Sequence, residues 1–103
     1  SYSIQEPDFE NLQGLQISDW PEYIETRVSD EEFRKALKIA LDDLDEKYRS
    51  VFVLRDLEGM STQEAAEMLE LTESNVKVRL MRARLFLRDK MQAYMRRKGW
   101  LVR

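Results

Sequence analysis

The chain has 103 residues, of which 43% are hydrophobic and 36% charged, so it can bury one modest core and is expected to form one compact domain. It contains no cysteine and no histidine, which excludes disulfide bonds, the usual zinc sites and histidine-based catalysis from its own residues. No run of about 18 apolar residues and no signal-peptide pattern is present, so we expect no membrane insertion and a cytoplasmic location.

The net charge of −3 hides an uneven distribution of charge along the chain. Residues 77–103 hold ten Lys and Arg side chains against one acid, a local net charge of +9, whereas residues 1–76 carry −12. This asymmetry indicates a polyanion-binding end joined to an acidic region that has a different partner.

Residues 1–28 are acidic and are interrupted by two prolines and a glycine, and they follow neither a helical nor a strand period. We interpret them as an acidic linker or arm, partly disordered, with a helical turn after Pro21. An alternative is that the aromatic residues Tyr2, Phe9 and Trp20 dock onto a partner or onto the domain itself.

Two helices are predicted next. Ser29 and Glu32 form a possible capping box for a helix over residues 30–43, and Asp45 can cap a second helix that Gly59 ends. The apolar residues at helical spacing in these segments are Phe33, Ala36, Leu37, Ala40, Leu41, Leu44, Tyr48, Val51, Phe52, Leu54 and Leu57.

The strongest local signal is a further pair of helices, separated by a turn without proline. Ser61 and Glu64 form a capping box for the first, and Thr72 can cap the second, which Gly99 ends. The first helix has an apolar side of Ala65, Ala66, Met68 and Leu69, and the second a buried stripe of Val76, Leu80, Ala83, Leu87 and Met91. The opposite face of the second helix carries Ser74, Val78, Met81, Arg82 and Leu85. We therefore predict an all-α, four-helix domain over residues 29–103 that contains a helix-turn-helix with a long C-terminal recognition helix.

The segment over residues 44–88 resembles region 4, the C-terminal promoter-reading domain of bacterial sigma-70 family RNA polymerase sigma factors, most closely the extracytoplasmic-function group. The motifs that carry the resemblance are Tyr48-Arg49, Leu54-Arg55, Glu58-Gly59-Met60-Ser61, Glu64-Ala65-Ala66, Leu69, Val76-Lys77-Val78-Arg79-Leu80 and Arg82-Ala83-Arg84. Two-component response regulators share a related domain, but the last motif and the Glu-Gly-Met-Ser link favour the sigma factors.

The resemblance implies that the fourth helix binds the minus-35 element of double-stranded promoter DNA in the major groove. Carried over residue by residue, the side chains that face bases or their adjacent phosphates are Lys77, Val78, Met81 and Arg82. Those that contact phosphates or set the register are Arg55, Thr62, Ser74, Asn75, Arg79 and Arg84, of which Arg79 and Arg84 are assigned to the DNA backbone or to intradomain partners. Phe33, Leu37 and Ile39 are interpreted as core residues, any one of which could instead contact the polymerase flap.

The implied partners besides DNA are the RNA polymerase core, through its β flap and through β′ by a linked upstream domain, and an anti-sigma factor. Residues 1–28 resemble the linker to that upstream domain, so the chain is expected to be part of a longer protein. Glu70 departs from the family because members often have glycine there, so either the turn can be made without a left-handed glycine or Glu70 is slightly strained. Ser74 and Asn75 replace a common Gly-Thr pair, which puts base preference in doubt.

Two functions follow from these observations. The first is a promoter-recognition domain that tethers RNA polymerase for transcription initiation. The alternative is a protein-interaction module that an anti-sigma factor or another regulator holds, and that does not bind DNA in this form. An enzyme is disfavoured because the sequence lacks His, Cys and a phosphate-binding glycine loop, and no cofactor is predicted.

Overall fold

A computed structural model describes residues 20–99, which form five α-helices and no strand. The helices are α1 (Trp20–Arg27), α2 (Glu31–Asp42), α3 (Glu46–Phe52), α4 (Thr62–Leu69) and α5 (Glu73–Arg97). The predicted all-α class is confirmed. The four helices expected after residue 28 correspond to α2 to α5, and α1 is an additional element.

Helix α1 lies within the segment that was predicted to be an acidic arm. Its side chains Tyr23 and Ile24 are buried in the core, and the Tyr23 ring lies 6.2 Å from the Phe33 ring of α2. The turn expected after Pro21 is therefore a helix of two turns that packs on the domain. Residues 1–19 of the predicted arm lie outside the described residues, and the division of the chain at residue 28 stays a prediction.

The starts of α2 and α3 differ in detail from the predicted caps. Asp30, and not Ser29, is the N-cap of α2, because its Oδ1 accepts hydrogen bonds from the amides of Glu32 at 2.9 Å and Phe33 at 3.2 Å. Asp45 occupies the N-cap position of α3 as predicted, but its side chain makes no capping hydrogen bond. Both helices therefore begin within two residues of the expected positions.

Helix α3 continues into a single π-helical turn, Val53–Leu57, before the chain turns towards α4. The widened turn is visible in the bond from the Glu58 amide to the Val53 carbonyl, at 2.9 Å and five residues apart. Gly59 follows with a φ of +75°, a left-handed conformation that glycine adopts without a Cβ clash. Gly59 ends this helical segment, as the sequence predicted.

Helix α5 is the central element and packs against α2, α3 and α4. Its predicted stripe is confirmed, since the members are all buried: Val76, Leu80, Ala83, Leu87 and Met91. Leu85 was predicted on the exposed face but is buried, together with Phe86 and Arg88, because the C-terminal half of α5 is enclosed on more than one side. Met68 of α4 was expected to pack but is exposed.

Candidate nucleic-acid interface

The first helix of the helix-turn-helix, α4, is fixed at its start by a complete capping box. The Ser61 hydroxyl accepts from the Glu64 amide at 3.0 Å, and the Glu64 carboxylate accepts from the Ser61 amide at 2.9 Å. Ala65 and Ala66 are buried where α4 packs on α5. Their small side chains let two helices approach closely, so the sequence prediction for this helix start and for its alanine pair is confirmed.

The turn between α4 and α5 is made by a residue other than glycine in a left-handed conformation. Glu70 has φ +59° and ψ +48°, and the Leu71 amide then donates to the Ala66 carbonyl at 2.9 Å. Thr72 caps α5 by accepting from the Asn75 amide at 3.0 Å, as predicted. The turn is therefore made without glycine, and Glu70 adopts the strained left-handed conformation.

The first three turns of α5 present one exposed face opposite the buried stripe. Lys77 is exposed on this face, and so are two apolar side chains, Val78 at 41% and Met81 at 37%. Arg82 lies half-buried beside them. We call Lys77, Val78, Met81 and Arg82 the reading surface. It extends over about two helical turns, which a major groove about 12 Å wide can accommodate.

Polar side chains lie at the N-termini of both helices of the helix-turn-helix. Ser74 and Asn75 are exposed in the first turn, and Thr62 is half-buried in the first turn of α4. The Asn75 Oδ1 accepts from Arg79 Nε at 3.3 Å, so these two side chains support each other on the helix surface. Amides and hydroxyls placed at helix N-termini suit phosphate oxygens, which the helix dipole also attracts.

Arg84 was a candidate phosphate contact, but the structure places it in an intradomain ion pair. Its Nε and Nη2 donate to the two carboxylate oxygens of Asp56 at 2.8 and 2.7 Å. The Asp56 side chain is only 2% exposed and that of Arg84 15%. The sequence indicated an intradomain partner as one alternative but not which one, because 28 residues separate the two.

Arg55, a second phosphate candidate, also has an intradomain partner. Its Nη1 donates to the Met60 carbonyl at 2.6 Å, and its side chain is half-buried. This bond closes the loop between the π-helical turn and the capping box of α4. In this arrangement, the adjacent residues Arg55 and Asp56 connect one turn to both helices of the helix-turn-helix.

The three candidate flap contacts lie in different environments. Phe33 is fully buried and Leu37 is nearly so, which confirms them as core residues. Ile39 is 68% exposed on the outer surface of α2, so its interpretation as a core residue is wrong. Leu37 also contributes to a groove of about 380 Å³ between α2, α3 and the loop after α1. The groove is lined by Val28, Arg34, Leu37, Lys38, Leu41, Asp42, Arg49 and Leu57. Of the three candidates, only Leu37 borders the groove, and Ile39 lies outside it.

The sequence profile of the family described as "Sigma-70, region 4" matches residues 34–87, which run from α2 through α3 and α4 into the middle of α5. The chain belongs to the sigma-70 region 4 family. This match confirms the identification made from the sequence motifs. It also covers every residue of the reading surface and the Asp56–Arg84 ion pair.

Similar proteins include the "ECF RNA polymerase sigma-E factor" of Escherichia coli (strain K12), Salmonella typhimurium (strain LT2) and Shigella flexneri. Each is 30% identical over 95 residues, which is 92% of this chain and 48% of the relative. The chain thus spans about half the length of the relatives it matches. No solved structure gives a significant match. Among residues 20–99, no helix combines the length and apolar character needed to cross a bilayer.

Proposed function

We propose that this sigma-70 region 4 chain reads the minus-35 element of promoters by placing α5 in the DNA major groove. The observation that carries the proposal is the two-sided character of α5. One side is buried against α4 and the core, and the other presents exposed basic and apolar side chains next to a helix N-terminus. The domain then acts by binding and not by catalysis, and its site of action is the cytoplasm, where polymerase meets DNA.

The residue types on the reading surface suit base edges. Lys77 and Arg82 can donate to the O6 and N7 acceptors of guanine, which are the usual targets of basic side chains in the major groove. Val78 and Met81 can only make apolar contacts, for which the thymine methyl group is the matching partner. Exposed Val and Met side chains within a basic surface are accounted for by this contact.

Phosphate contacts are assigned to the polar side chains at the N-termini of α4 and α5. Thr62, Ser74 and Asn75 offer hydroxyl and amide donors, and Arg79 adds a positive charge beside them. Arg55 and Arg84 are left out of this proposed set, because they donate to Met60 and Asp56 within the domain. The positive charges assigned to the DNA side of α5 are Lys77, Arg79 and Arg82, which lie exposed or half-buried on its first three turns.

The salt dependence of binding tests the phosphate contacts. Duplexes selected from a randomised pool provide the preferred site, and fluorescence anisotropy gives Kd for that site and for a scrambled duplex. Each of the three cationic side chains placed against DNA displaces condensed counterions, whether it contacts a base or a phosphate, so we expect a slope of about −2.7 in log K against log salt, or roughly a 40-fold loss of affinity between 50 and 200 mM. Binding that does not weaken over this range would contradict the proposal.

Substitutions on α5 test the base contacts. Lys77→Ala and Arg82→Ala are each expected to weaken binding to the selected duplex by about 1–3 kcal/mol while affecting the scrambled duplex less. Lys35→Ala is the matched control, because Lys35 is an exposed lysine on α2 whose partner is Glu31. Equal losses on both duplexes would reassign Lys77 and Arg82 to phosphate contacts.

We further propose that the RNA polymerase core docks at the groove that Leu37 borders, through the β flap that the family resemblance implies. Val28 and Leu57 are exposed there and are flanked by Arg34, Lys38 and Arg49. An apolar floor with a charged rim suits an amphipathic helix. An anti-sigma protein that competes for this groove would hold the domain away from polymerase.

One pair of variants distinguishes the groove from the exposed surface around Ile39 as the docking site for polymerase. Leu57→Glu places a carboxylate in the groove and should reduce capture of core polymerase by roughly tenfold or more. Ile39→Glu makes the same change on the outer surface of α2, and capture should persist. A loss with Ile39→Glu alone would move the contact to the exposed Ile39 surface, and DNA affinity in both variants reports whether the fold is intact.

A further inference from the structure

The ion pair between Asp56 and Arg84 lies within one helical turn of the reading surface, because Arg84 follows Met81 by three residues. It joins the π-helical turn after α3 to α5, two elements that are distant in sequence. A carboxylate this buried cannot touch DNA, since only 2% of its side-chain surface is accessible. Any effect of Asp56 on DNA binding must therefore pass through Arg84 and α5.

We propose that Asp56 is a positioning residue that sets the DNA specificity of the domain. It fixes α5 through Arg84 and withholds the Arg84 guanidinium from DNA phosphates. The inference rests on the proposed function, because it concerns how α5 is presented to DNA.

The positioning role follows from the geometry of the pair. Arg84 Nε and Nη2 reach separate oxygens of Asp56, a two-point contact that restricts both rotation of α5 about its axis and sliding along it. Base contacts depend on such restraint, because a bidentate bond to a base edge tolerates little displacement. A helix free to rotate would still find phosphates but would lose base discrimination.

The withholding role follows from the chemistry of the guanidinium. Arginine is a strong phosphate ligand, and a phosphate contact raises affinity for every DNA sequence equally. Arg84 lies on the proposed DNA-binding helix, and Asp56 engages two of its three guanidinium nitrogens and offsets its positive charge. The pair therefore favours a high ratio of specific to non-specific binding at the expense of total affinity.

The neighbouring residue supports this assignment. Arg55 donates to the Met60 carbonyl directly before the N-cap of α4, so the same π-helical turn also holds the entrance to the first helix of the unit. Adjacent side chains of one turn thus restrain both helices relative to each other. Single π-helical turns inside helical segments frequently occur at functional sites.

Asp56→Asn tests the proposal, because the amide keeps the shape of the side chain but offers one acceptor oxygen in place of two. We expect the ratio of affinities for selected and scrambled duplexes to fall about tenfold, the scale of one lost base contact. Binding to scrambled DNA should stay equal or tighten, with a salt slope steeper by about one. Asp43→Asn is the matched control, since Asp43 pairs with Lys90 of α5 at 3.1 Å on the exposed surface, and it should change neither quantity.

A second variant separates the two roles and guards against misfolding of the first. Asp56→Asn combined with Arg84→Gln removes the released charge, so scrambled binding should return to the wild-type value while the specificity ratio stays low. Without DNA, amide chemical shifts over residues 77–82 should move in Asp56→Asn but not in Asp43→Asn.

Several results would overturn the inference. A wild-type specificity ratio in a folded Asp56→Asn or in the double variant would defeat it, and so would unmoved amide shifts over residues 77–82. A lower melting temperature with an unchanged ratio would show a purely structural pair. If the wild-type chain itself does not distinguish selected from scrambled duplexes, the proposed function fails and the inference falls with it. Discrimination by wild type together with an unchanged Asp56→Asn ratio defeats the inference alone.

Discussion

Replacing Glu70 by glycine should stabilise the domain. A left-handed conformation costs an L-residue about 1–2 kcal/mol, whereas glycine adopts it freely but loses about 0.5–1 kcal/mol more backbone entropy on folding. Removal of a negative charge from the C-terminal end of α4 adds a few tenths of a kcal/mol. The turn's hydrogen bonds are between backbone atoms, as in Leu71 to Ala66, so they survive the substitution. The net expectation is a gain of about 1 kcal/mol in the free energy of unfolding.

Thermal and urea unfolding followed by circular dichroism measure this gain. For a chain of this length, about 1 kcal/mol corresponds to a rise in Tm of roughly 5 °C. Glu67→Gly is the matched control, because Glu67 is an exposed acid of the same helix with helical backbone angles, and it should lose about 1 kcal/mol. A Glu70→Gly variant no more stable than wild type, or equal shifts in both variants, would refute the account of a strained turn.

Two other predictions concern the core. Leu80→Ala should cost about 2–4 kcal/mol by leaving a cavity in the buried stripe of α5, and urea unfolding that matches wild type would show that the stripe is misassigned. Burial raises the pKa of the Tyr23 hydroxyl to about 12, so the folded state holds this proton more tightly than the unfolded chain does. This proton contributes on the order of 2 kcal/mol to the free energy of unfolding, a contribution that is complete below about pH 10 and is lost as pH rises through 12. Chemical denaturation at increasing pH should show this decline for wild type and a flatter one for Tyr23→Phe.

Local signals in the sequence predicted the helix-turn-helix well. Ser61 and Thr72 cap their helices through bonds to residues three positions away, so both partners of each bond are visible in one short window. The stripe that includes Val76 and Leu80 follows the helical period, and Gly59 adopts the left-handed angle that ends a helix. Each of these features is determined within about two helical turns, which is the range over which sequence patterns are informative.

The N-cap of α2, which is Asp30 and not Ser29, is a local error, but the larger wrong or missing predictions involve contacts between distant segments. Leu85 was placed on the exposed face because a single buried stripe was assumed for the whole of α5. Only a helical turn was predicted where α1 lies, because the segment is acidic and the burial of α1 depends on Tyr23 meeting the Phe33 ring of another helix. The partner of Arg84 could not be predicted from the sequence either, since charge alone does not distinguish Asp56 from the other acids of the chain.

These distant contacts determine how the reading surface is presented. The C-terminal half of α5 is held by α2, through the Phe33 and Tyr94 rings at 6.3 Å and through Lys98 and Glu32 at 2.6 Å. The N-terminal half is held by α4 and, at Arg84, by the π-helical turn. A helix restrained at both ends cannot tilt without breaking core contacts, so under the proposed function its exposed side chains would approach DNA in one orientation. On the proposed function, base preference would depend on the reading surface, whereas its precision would depend on residues that never reach the DNA.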